Sequence, residues 1–401
     1  NVASAKGEVS ALGYAELLMK HCEELNDKEL LNFFKLIRDN FEITSDELSN
    51  AIEKYQREKN SVNLVQLMKV SEPKRREIFR RCNGISRGTI RLVNLRKRLL
   101  GIISKHPELK AVDYDLVYLF KNWFNRGFLI LRPINWETPA HILEKIIAYE
   151  AVHEINSWDE LRSRLAPKDR RCFAFFHPAM QDEPIIFVEV ALMKEVPSKI
   201  QDVLQEKRNV FEPAETTVAV FYSISNCQMG LKSVSFGSFL IKQVVTEIEK
   251  EFKQIKHFVT LSPVPGLKKW SNKINLLEDK DLPENIINDI SECCKDNKPI
   301  PLVLNRLAYY YLTQVKRKNG QAINPVAHFH LGNGASLYKI HTDANVNQSA
   351  LDDSWGVMVN YLYDLESVAK NHEDYANQEP VAVSPKLTKS IQNNKKKILA
   401  N

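Results

Sequence analysis

One serine lies where a hydroxyl could do chemistry. In HFVTLSPVPG, residues 257–266, an apolar run stops at Ser262 between proline-flanked turns. A hydroxyl at the end of a strand could bind a substrate or pass a proton, and the prolines would fix the backbone that carries it. A serine before a proline more often only shapes a turn. Local rules therefore favour turn chemistry at Ser262 and leave catalysis as the alternative.

Histidines crowd a second segment, NPVAHFHLGNGA at residues 324–335. Imidazole takes up or releases a proton near neutral pH, so a histidine could act as a general acid or base. His328 and His330 alternate within a predicted strand, and His341 follows later in the chain. Because this spacing does not suit zinc, we expect no metal site. A packed or exposed histidine is the structural alternative to a catalytic one.

A third segment, residues 226–245, suits an anion. Its sequence NCQMGLKSVSFGSFLIKQVV joins a predicted strand to an apolar-periodic helix through a polar loop that contains Gly230 and Gly237. Backbone N–H groups and the helix dipole converge at such a junction, which favours a pyrophosphate. Many strand-to-helix turns need glycine for geometry alone, and the loop matches neither GxxxxGKS/T nor GxGxxG.

Two kinds of element must position these residues. From residue 14 to about 124, apolar residues such as Leu30, Phe34 and Ile37 recur at helical spacing, which predicts a helical bundle. Beyond about residue 127, short runs rich in Val, Ile, Phe and Tyr alternate with helical segments, which predicts a mixed α/β domain. The predicted strands are 172–178, 184–193, 216–225, 256–262 and 325–331.

The fold class expected from these patterns is α+β. An all-α helical bundle should occupy residues 1–126, and a mixed α/β domain should occupy 127–401 and end in a frayed, Lys-rich tail from about residue 385. The 401 residues are 44% hydrophobic, enough for a sizeable core, and no apolar run reaches the roughly 18 residues of a membrane helix. Six cysteines without a CxxC pair favour free thiols in a reducing compartment, with a disulfide through Cys293 or Cys294 as the alternative.

Positive charge is concentrated between Lys74 and Arg98, although the net charge is only +6. Such a basic stripe could bind phosphates or nucleic acid. The simpler interpretation is a helix face covered by folded arginine side chains. Because no aromatic residues are interleaved for base stacking, we expect no nucleic-acid partner.

Five segments, in order along the chain, resemble malonyl-CoA decarboxylase: EKIIAYEAVH (144–153), GLKSVSFGSFLIKQVV (230–245), FVTLSPVPG (258–266), NPVAHFHLGNGA (324–335) and GVMVNYLY (356–363). The resemblance extends from the helical part to about residue 370. It implies an N-terminal helical bundle packed on a catalytic domain similar to the CoA-dependent N-acetyltransferase (GNAT) fold. It also implies a homo-oligomer, either a dimer or a tetramer.

The resemblance further implies roles for single residues. Ser262 and His330 are expected to form the catalytic pair and Lys145 to be needed for activity. Separately from the resemblance, the pattern around Tyr361 is typical of a core residue, yet its phenol could reach the acyl end of the site. The thioester and pyrophosphate region of malonyl-CoA would bind the loop of Lys232, Ser233, Val234, Ser235, Phe236, Gly237 and Ser238. The family commonly has glycine at the position of Ser233 and, in some members, an acid at that of Ser235. Altered loop contacts are therefore expected here.

The implied reaction converts malonyl-CoA to acetyl-CoA and CO2 in fatty-acid metabolism. Loss of CO2 leaves a thioester enolate, which needs hydrogen-bond donors at its oxygen and a proton at its α-carbon. Since the thioester itself delocalises the charge, no metal or organic cofactor is expected. His330 would protonate the carbon directly or through Ser262, and the reverse division of roles stays open.

Two other functions remain alternatives to decarboxylation. One is a GNAT-type acyltransferase that uses the same CoA loop, and the other is a catalytically silent CoA-binding scaffold. The expected compartment is the mitochondrial matrix or the cytoplasm. The peroxisome is less expected, because the sequence given ends in ILAN and not in an SKL-type signal.

Overall fold

The computed structural model describes residues 7–234, 240–274, 282–295 and 299–398. The chain forms two compact units, each built from more than one stretch of sequence. We call the first the helical unit; it contains the residues up to 130, 176–185 and 227–236. We call the second the sheet unit; it contains 131–175, 186–226 and the residues from 237 onward.

The described part of the helical unit contains seven α-helices: α1 (Glu8–Glu24), α2 (Asp27–Asn40), α3 (Ser45–Arg57), α4 (Ser61–Val70), α5 (Lys74–Asn83), α6 (Gly88–Ile103) and α7 (Lys110–Trp123). Helix α2 begins with a capping box, in which Asn26 and Glu29 each satisfy a backbone N–H of the other. Its residues Leu30, Phe34 and Ile37 are buried along one face, as the helical spacing predicts.

Carboxylates neutralise much of the basic stripe. Arg75 Nε and Arg76 Nε each lie 2.5 Å from a different oxygen of Asp115, which is buried. Seven arginines of the stripe contact a carboxylate: Arg75, Arg76, Arg80, Arg81, Arg91, Arg96 and Arg98. These ion pairs support the interpretation of the stripe as a helix face with folded arginine side chains.

Eight strands among the described residues form one mixed sheet: β1 (Ile130–Ile134), β2 (Arg170–Phe176), β3 (Ile186–Met193), β4 (Val218–Asn226), β5 (His257–Thr260), β6 (Ser262–Pro263), β7 (Ser336–His341) and β8 (Met358–Leu362). The strand order is β1-β2-β3-β4-β5-β8-β6, and β7 also pairs with β8. Strands β4 and β5 are parallel, whereas β3 is antiparallel to β2 and β4, and β8 is antiparallel to β5, β6 and β7.

Eleven further helices accompany this sheet in the described residues: α8 (Ala140–Tyr149), α9 (Trp158–Leu165), α10 (Gln201–Leu204), α11 (Leu240–Glu251), α12 (Leu267–Lys273), α13 (Glu284–Lys295), α14 (Pro301–Thr313), α15 (Pro325–Gly332), α16 (Gln348–Ser354), α17 (Val368–Ala376) and α18 (Pro385–Ile398). The α+β class predicted from the sequence is confirmed, with a helical region followed by a mixed sheet domain. One core cluster of the sheet unit includes Val220, Val259, Leu261 and Met358, all buried.

The end of the chain differs from the prediction of a frayed tail from about residue 385. Residues Pro385–Ile398 form α18, and its Leu387 and Ile391 are buried. Two apolar residues one turn apart give this helix a face to bury, which outweighs the polar character of its later lysines. Among the residues described, every helix is too short or too polar to span a bilayer.

Candidate active site

Ser262 lies where the parallel part of the sheet ends. Strands β4 and β5 pair as far as Phe221 and Thr260, and Ser262 then belongs to β6, which pairs with β8. The hydroxyl therefore follows directly on a buried strand. Pro263 and Pro265 stiffen the turn behind it, because each fixes its own φ.

His330 lies on a helix, so the strand predicted over residues 325–331 is wrong. These residues form α15, which begins with two strong start signals. The side chain of Asn324 accepts a hydrogen bond from Ala327 N at 2.8 Å. Pro325 occupies the first turn, where its fixed φ suits the helix and its missing N–H is not needed. These signals outweigh the strand propensity of the alternating aromatic residues.

The structure brings Ser262 and His330 into contact. His330 Nε2 lies 3.1 Å from Ser262 Oγ, and His330 Nδ1 lies 2.8 Å from Tyr363 Oη. Ser262 Oγ donates to Thr260 Oγ1 at 2.9 Å. All four side chains are buried. They form a continuous chain of hydrogen bonds from Tyr363 through His330 and Ser262 to Thr260.

The directions of these hydrogen bonds show which atom of each of these side chains carries the proton. A serine hydroxyl has one proton, and that of Ser262 is directed to Thr260. His330 Nε2–H must then donate to Ser262 Oγ, and Nδ1 accepts the phenolic proton of Tyr363. This tautomer, inferred from the hydrogen-bond network, directs a proton of His330 towards the serine.

Burial decides the charge of His330 in the free protein. Desolvation lowers the pKa of the imidazole from its ordinary 6.5 to about 3, so the ring is neutral at pH 7. Burial also raises the pKa of Tyr363 well above its ordinary value, so the phenol keeps its proton. His330 and Tyr363 are therefore an uncharged, hydrogen-bonded pair in the free protein.

Tyr361 lies against the same imidazole. Its ring stacks on that of His330, with centroids 4.6 Å apart and an interplanar angle of 25°. The residue is fully buried on β8, and its hydroxyl has no hydrogen-bond partner among the residues that the structure describes. A buried polar atom without a partner costs about 1–3 kcal/mol. The structure therefore places the ring of the predicted site residue Tyr361 directly against His330.

Lys145 lies on α8 and is half-buried. Within the described residues, the polar partners of Ser262 are Thr260 and His330, and those of His330 are Ser262 and Tyr363. Lys145 is not among them. The structure therefore joins Ser262, His330 and Tyr361 directly, and does not join Lys145 to them.

The predicted phosphate-binding loop is described only at Lys232, Ser233 and Val234; residues 235–238 lie outside the described part of the chain. Ser233 has φ +67°, in the left-handed region that glycine adopts most easily. This conformation explains why glycine suits the position. Arg96 holds the approach to the loop by donating to Gly230 O at 2.6 Å and to Lys232 O at 2.8 Å.

Tyr363 is the contact of His330 that the sequence interpretation missed. The available signal was the NYLY segment, in which Tyr361 and Tyr363 are two residues apart and so point to the same face of an extended chain. Arg96 was also missed, because its loop contact joins residues more than 130 positions apart.

Family models and curated relatives match most of the chain. A model described as the malonyl-CoA decarboxylase C-terminal domain matches residues 127–401, and one described as the N-terminal domain matches 41–124. Mitochondrial malonyl-CoA decarboxylase of Anser anser anser is 35% identical over 348 residues, covering 79% of this chain and 69% of the relative. The mouse protein of the same name is 33% identical over 364 residues, covering 81% and 73%.

Solved structures match over nearly the whole length. The crystal structure of malonyl-CoA decarboxylase from Rhodopseudomonas palustris has a TM-score of 0.89 and 41% identity, and covers 97% of both chains. The corresponding structure from Agrobacterium vitis has a TM-score of 0.88 and 42% identity, also with 97% of both chains covered.

Proposed function

The chain belongs to the malonyl-CoA decarboxylase family, and from that premise we propose that it is a carboxy-lyase that converts malonyl-CoA to acetyl-CoA and CO2 at the Ser262–His330 pair. The observation that carries the proposal is the buried 3.1 Å contact between Ser262 Oγ and His330 Nε2. The two residues come from separate elements, β6 and α15, and the hydrogen bonds of Thr260 and Tyr363 hold the contact at both ends.

Decarboxylation requires no covalent bond between the substrate and the protein. The C–C bond to the carboxylate breaks, CO2 leaves, and the electron pair stays on the α-carbon and the thioester oxygen. One proton then has to reach that carbon. The overall reaction therefore consumes one proton from solvent for each acetyl-CoA formed, and the site must hold that proton next to the carbon.

His330 is suited to hold this proton only when substrate is bound. In the free protein its pKa of about 3 keeps it neutral. A malonyl carboxylate beside the imidazole would favour the charged form and raise that pKa. CO2 then leaves as a neutral molecule, its former negative charge moves to the enolate, and the proton passes from Nε2 to the α-carbon, directly or through Ser262. The serine hydroxyl can first donate to the substrate carboxylate by turning away from Thr260.

Other predicted residues have supporting roles in this proposal. Tyr361 offers a buried hydroxyl without a partner in the described residues, which suits the carboxylate or the thioester oxygen. Backbone N–H groups of the loop at 232–238 would stabilise the enolate oxygen and bind the pyrophosphate, and Lys145 would support the CoA phosphates or the catalytic loop. We also propose a homo-oligomer, and the mitochondrial matrix or cytoplasm as the compartment.

A product assay tests the proposal. Purified protein is incubated with malonyl-CoA, and acetyl-CoA is followed by mass spectrometry. Ser262→Ala and His330→Ala are each expected to lower kcat by about 100-fold or more. The controls are Ser271→Ala, which removes a buried serine hydroxyl from α12, and His257→Ala, which removes an exposed histidine from β5. Wild-type protein that binds CoA but forms no acetyl-CoA would favour the acyltransferase or the scaffold.

A further inference from the structure

Asn324 connects the two elements that carry the catalytic pair. Its side-chain oxygen accepts from Ala327 N at 2.8 Å and so caps α15, the helix of His330. Its side-chain nitrogen donates to Pro265 O at 2.8 Å, in the turn that follows Ser262. The residue is completely buried. Both ends of one amide are therefore used, one on α15 and one on the turn that follows β6.

Short, stiff segments of backbone lead from the two ends of this contact to Ser262 and His330. Pro265 is three residues after Ser262. Pro263 and Pro265 each fix their own φ, which stiffens this segment. His330 is six residues after Asn324, all within one helix, or about 9 Å along its axis. A shift of the Asn324 amide therefore changes the distance between Ser262 Oγ and His330 Nε2 by a similar amount.

We propose that Asn324 is a positioning residue that sets the distance between Ser262 Oγ and His330 Nε2 by tying the Pro265 turn to the start of α15. The inference rests on the function proposed above, because it assigns that distance a catalytic purpose. A misplacement of about 1 Å between reacting groups can cost about 100-fold in rate. The tie therefore acts mainly on kcat, because Asn324 takes no part in the contacts proposed to bind the CoA part of the substrate.

The competing explanation is that Asn324 only caps a helix, and a serine separates the two. Serine caps helices about as well as asparagine, but one short hydroxyl cannot reach both Ala327 N and Pro265 O. Pro265 O keeps a second donor, since Tyr311 Oη donates to it at 3.1 Å. We therefore expect Asn324→Ser to keep the melting temperature within about 2 °C of wild type, whereas Asn324→Ala lowers it by about 2–4 °C.

The decisive comparison is between folding and turnover. Asn324→Ser is expected to lower kcat at least about 10-fold and to change KM less than about 2-fold. The matched control is Asn60→Ser, because Asn60 caps α4 through a bond of the same length, 2.8 Å to Asn63 N, and its side chain joins no second element in the described part of the chain. It should leave kcat unchanged. If Asn324→Ser turns over like wild type, Asn324 is only a cap and the proposal fails.

A second readout does not depend on activity. In protein labelled with 15N-histidine, the ring nitrogens of His330, assigned by loss of their signals in His330→Asn, report its hydrogen bonds. We expect the Nε2 signal to shift in Asn324→Ser and to stay in place in Asn60→Ser. An unchanged signal would overturn the inference even if the wild type formed no acetyl-CoA, whereas absent wild-type turnover with a shifted signal would overturn only the proposed function.

Discussion

At the residue scale, the main finding is a histidine that is neutral by burial and hydrogen-bonded on both nitrogens. An ordinary surface histidine near pH 7 would be partly charged and free to rotate. His330 is kept neutral by burial. It cannot rotate freely, because Ser262 and Tyr363 hold its two nitrogens and Tyr361 covers one face of the ring. The Nε2 proton of His330 therefore points towards Ser262. Near pH 7 the ring gains a second proton only when a negatively charged substrate raises its pKa.

The Tyr363–His330 bond leads to the first prediction. Tyr363→Phe removes the donor to Nδ1 and leaves the aromatic packing in place, so both tautomers of His330 become available. We expect kcat to fall about 10-fold with KM nearly constant, measured by steady-state formation of acetyl-CoA. Tyr309→Phe, at a half-buried tyrosine of α14, is the control and should keep full activity. Equal rates for Tyr363→Phe and wild type would remove Tyr363 from the account.

The depressed pKa of His330 leads to the second prediction. The native pKa is about 3 and that of an unfolded histidine is about 6.5, so between these values only the unfolded chain binds the proton. The free energy of unfolding is therefore unaffected by this group above about pH 6.5 and falls as the pH decreases towards 3. From pH 7 to pH 5, the wild type should lose about 2 kcal/mol more than His330→Asn.

Urea unfolding of both proteins at the two pH values measures this difference. Burial also lowers the pKa of His153, to about 4, with the same sign of effect, but His153 is present in both proteins and cancels in the comparison. Parallel losses of stability in wild type and variant would mean that His330 is not held neutral in the folded protein.

At the element scale, a local start signal placed His330 on a helix where composition favoured a strand. The run PVAHFHL alternates in polarity and is rich in residues typical of strands. Asn324 and Pro325 before it satisfy and pre-set the first turn of α15. The capping chemistry was readable in the sequence. The contact of Asn324 with Pro265 was not, because no local rule joins residues 59 positions apart.

The loop anchored by Arg96 leads to an element-scale prediction. Arg96→Lys keeps a positive charge beside Asp113 but loses the planar guanidinium, which binds Asp113 through Nε and Nη2 while Nη1 donates to Gly230 O and Lys232 O. If the loop binds CoA, KM for malonyl-CoA should rise about 10-fold with kcat within about 2-fold of wild type. Arg91→Lys, whose partners Glu16 and Glu23 lie on α1, is the control with unchanged kinetics. A fall in kcat alone would contradict the assignment of this loop to binding.

At the scale of the whole molecule, the change of hydrophobic period near residue 127 was enough to predict the α+β class. The sequence also predicted β2 to β5 by their composition. It did not indicate β8, although this strand pairs with β5, β6 and β7 and leads directly to Tyr363. The pairings of β8 with β5 and β6 join segments about 100 residues apart, and neither periodicity nor propensity carries information about such contacts.

The proposed catalytic pair shows the same limit. Ser262 and His330 were proposed from the family resemblance, since their spacing alone favoured a turn serine and a packed histidine. The structure adds their contact and its two flanking hydrogen bonds. It therefore supplies what the resemblance could not, namely which nitrogen of His330 faces the serine and which residue holds the other.

The most direct test of decarboxylation at this pair is a single-turnover reaction of malonyl-CoA with excess protein in D2O. The product is analysed by mass spectrometry. The account predicts acetyl-CoA and CO2, with solvent deuterium in the methyl group of the acetyl-CoA, and a rate at least about 100-fold lower in His330→Asn. Recovery of unchanged malonyl-CoA, release of free malonate and CoA, or full speed in the His330→Asn variant would contradict it.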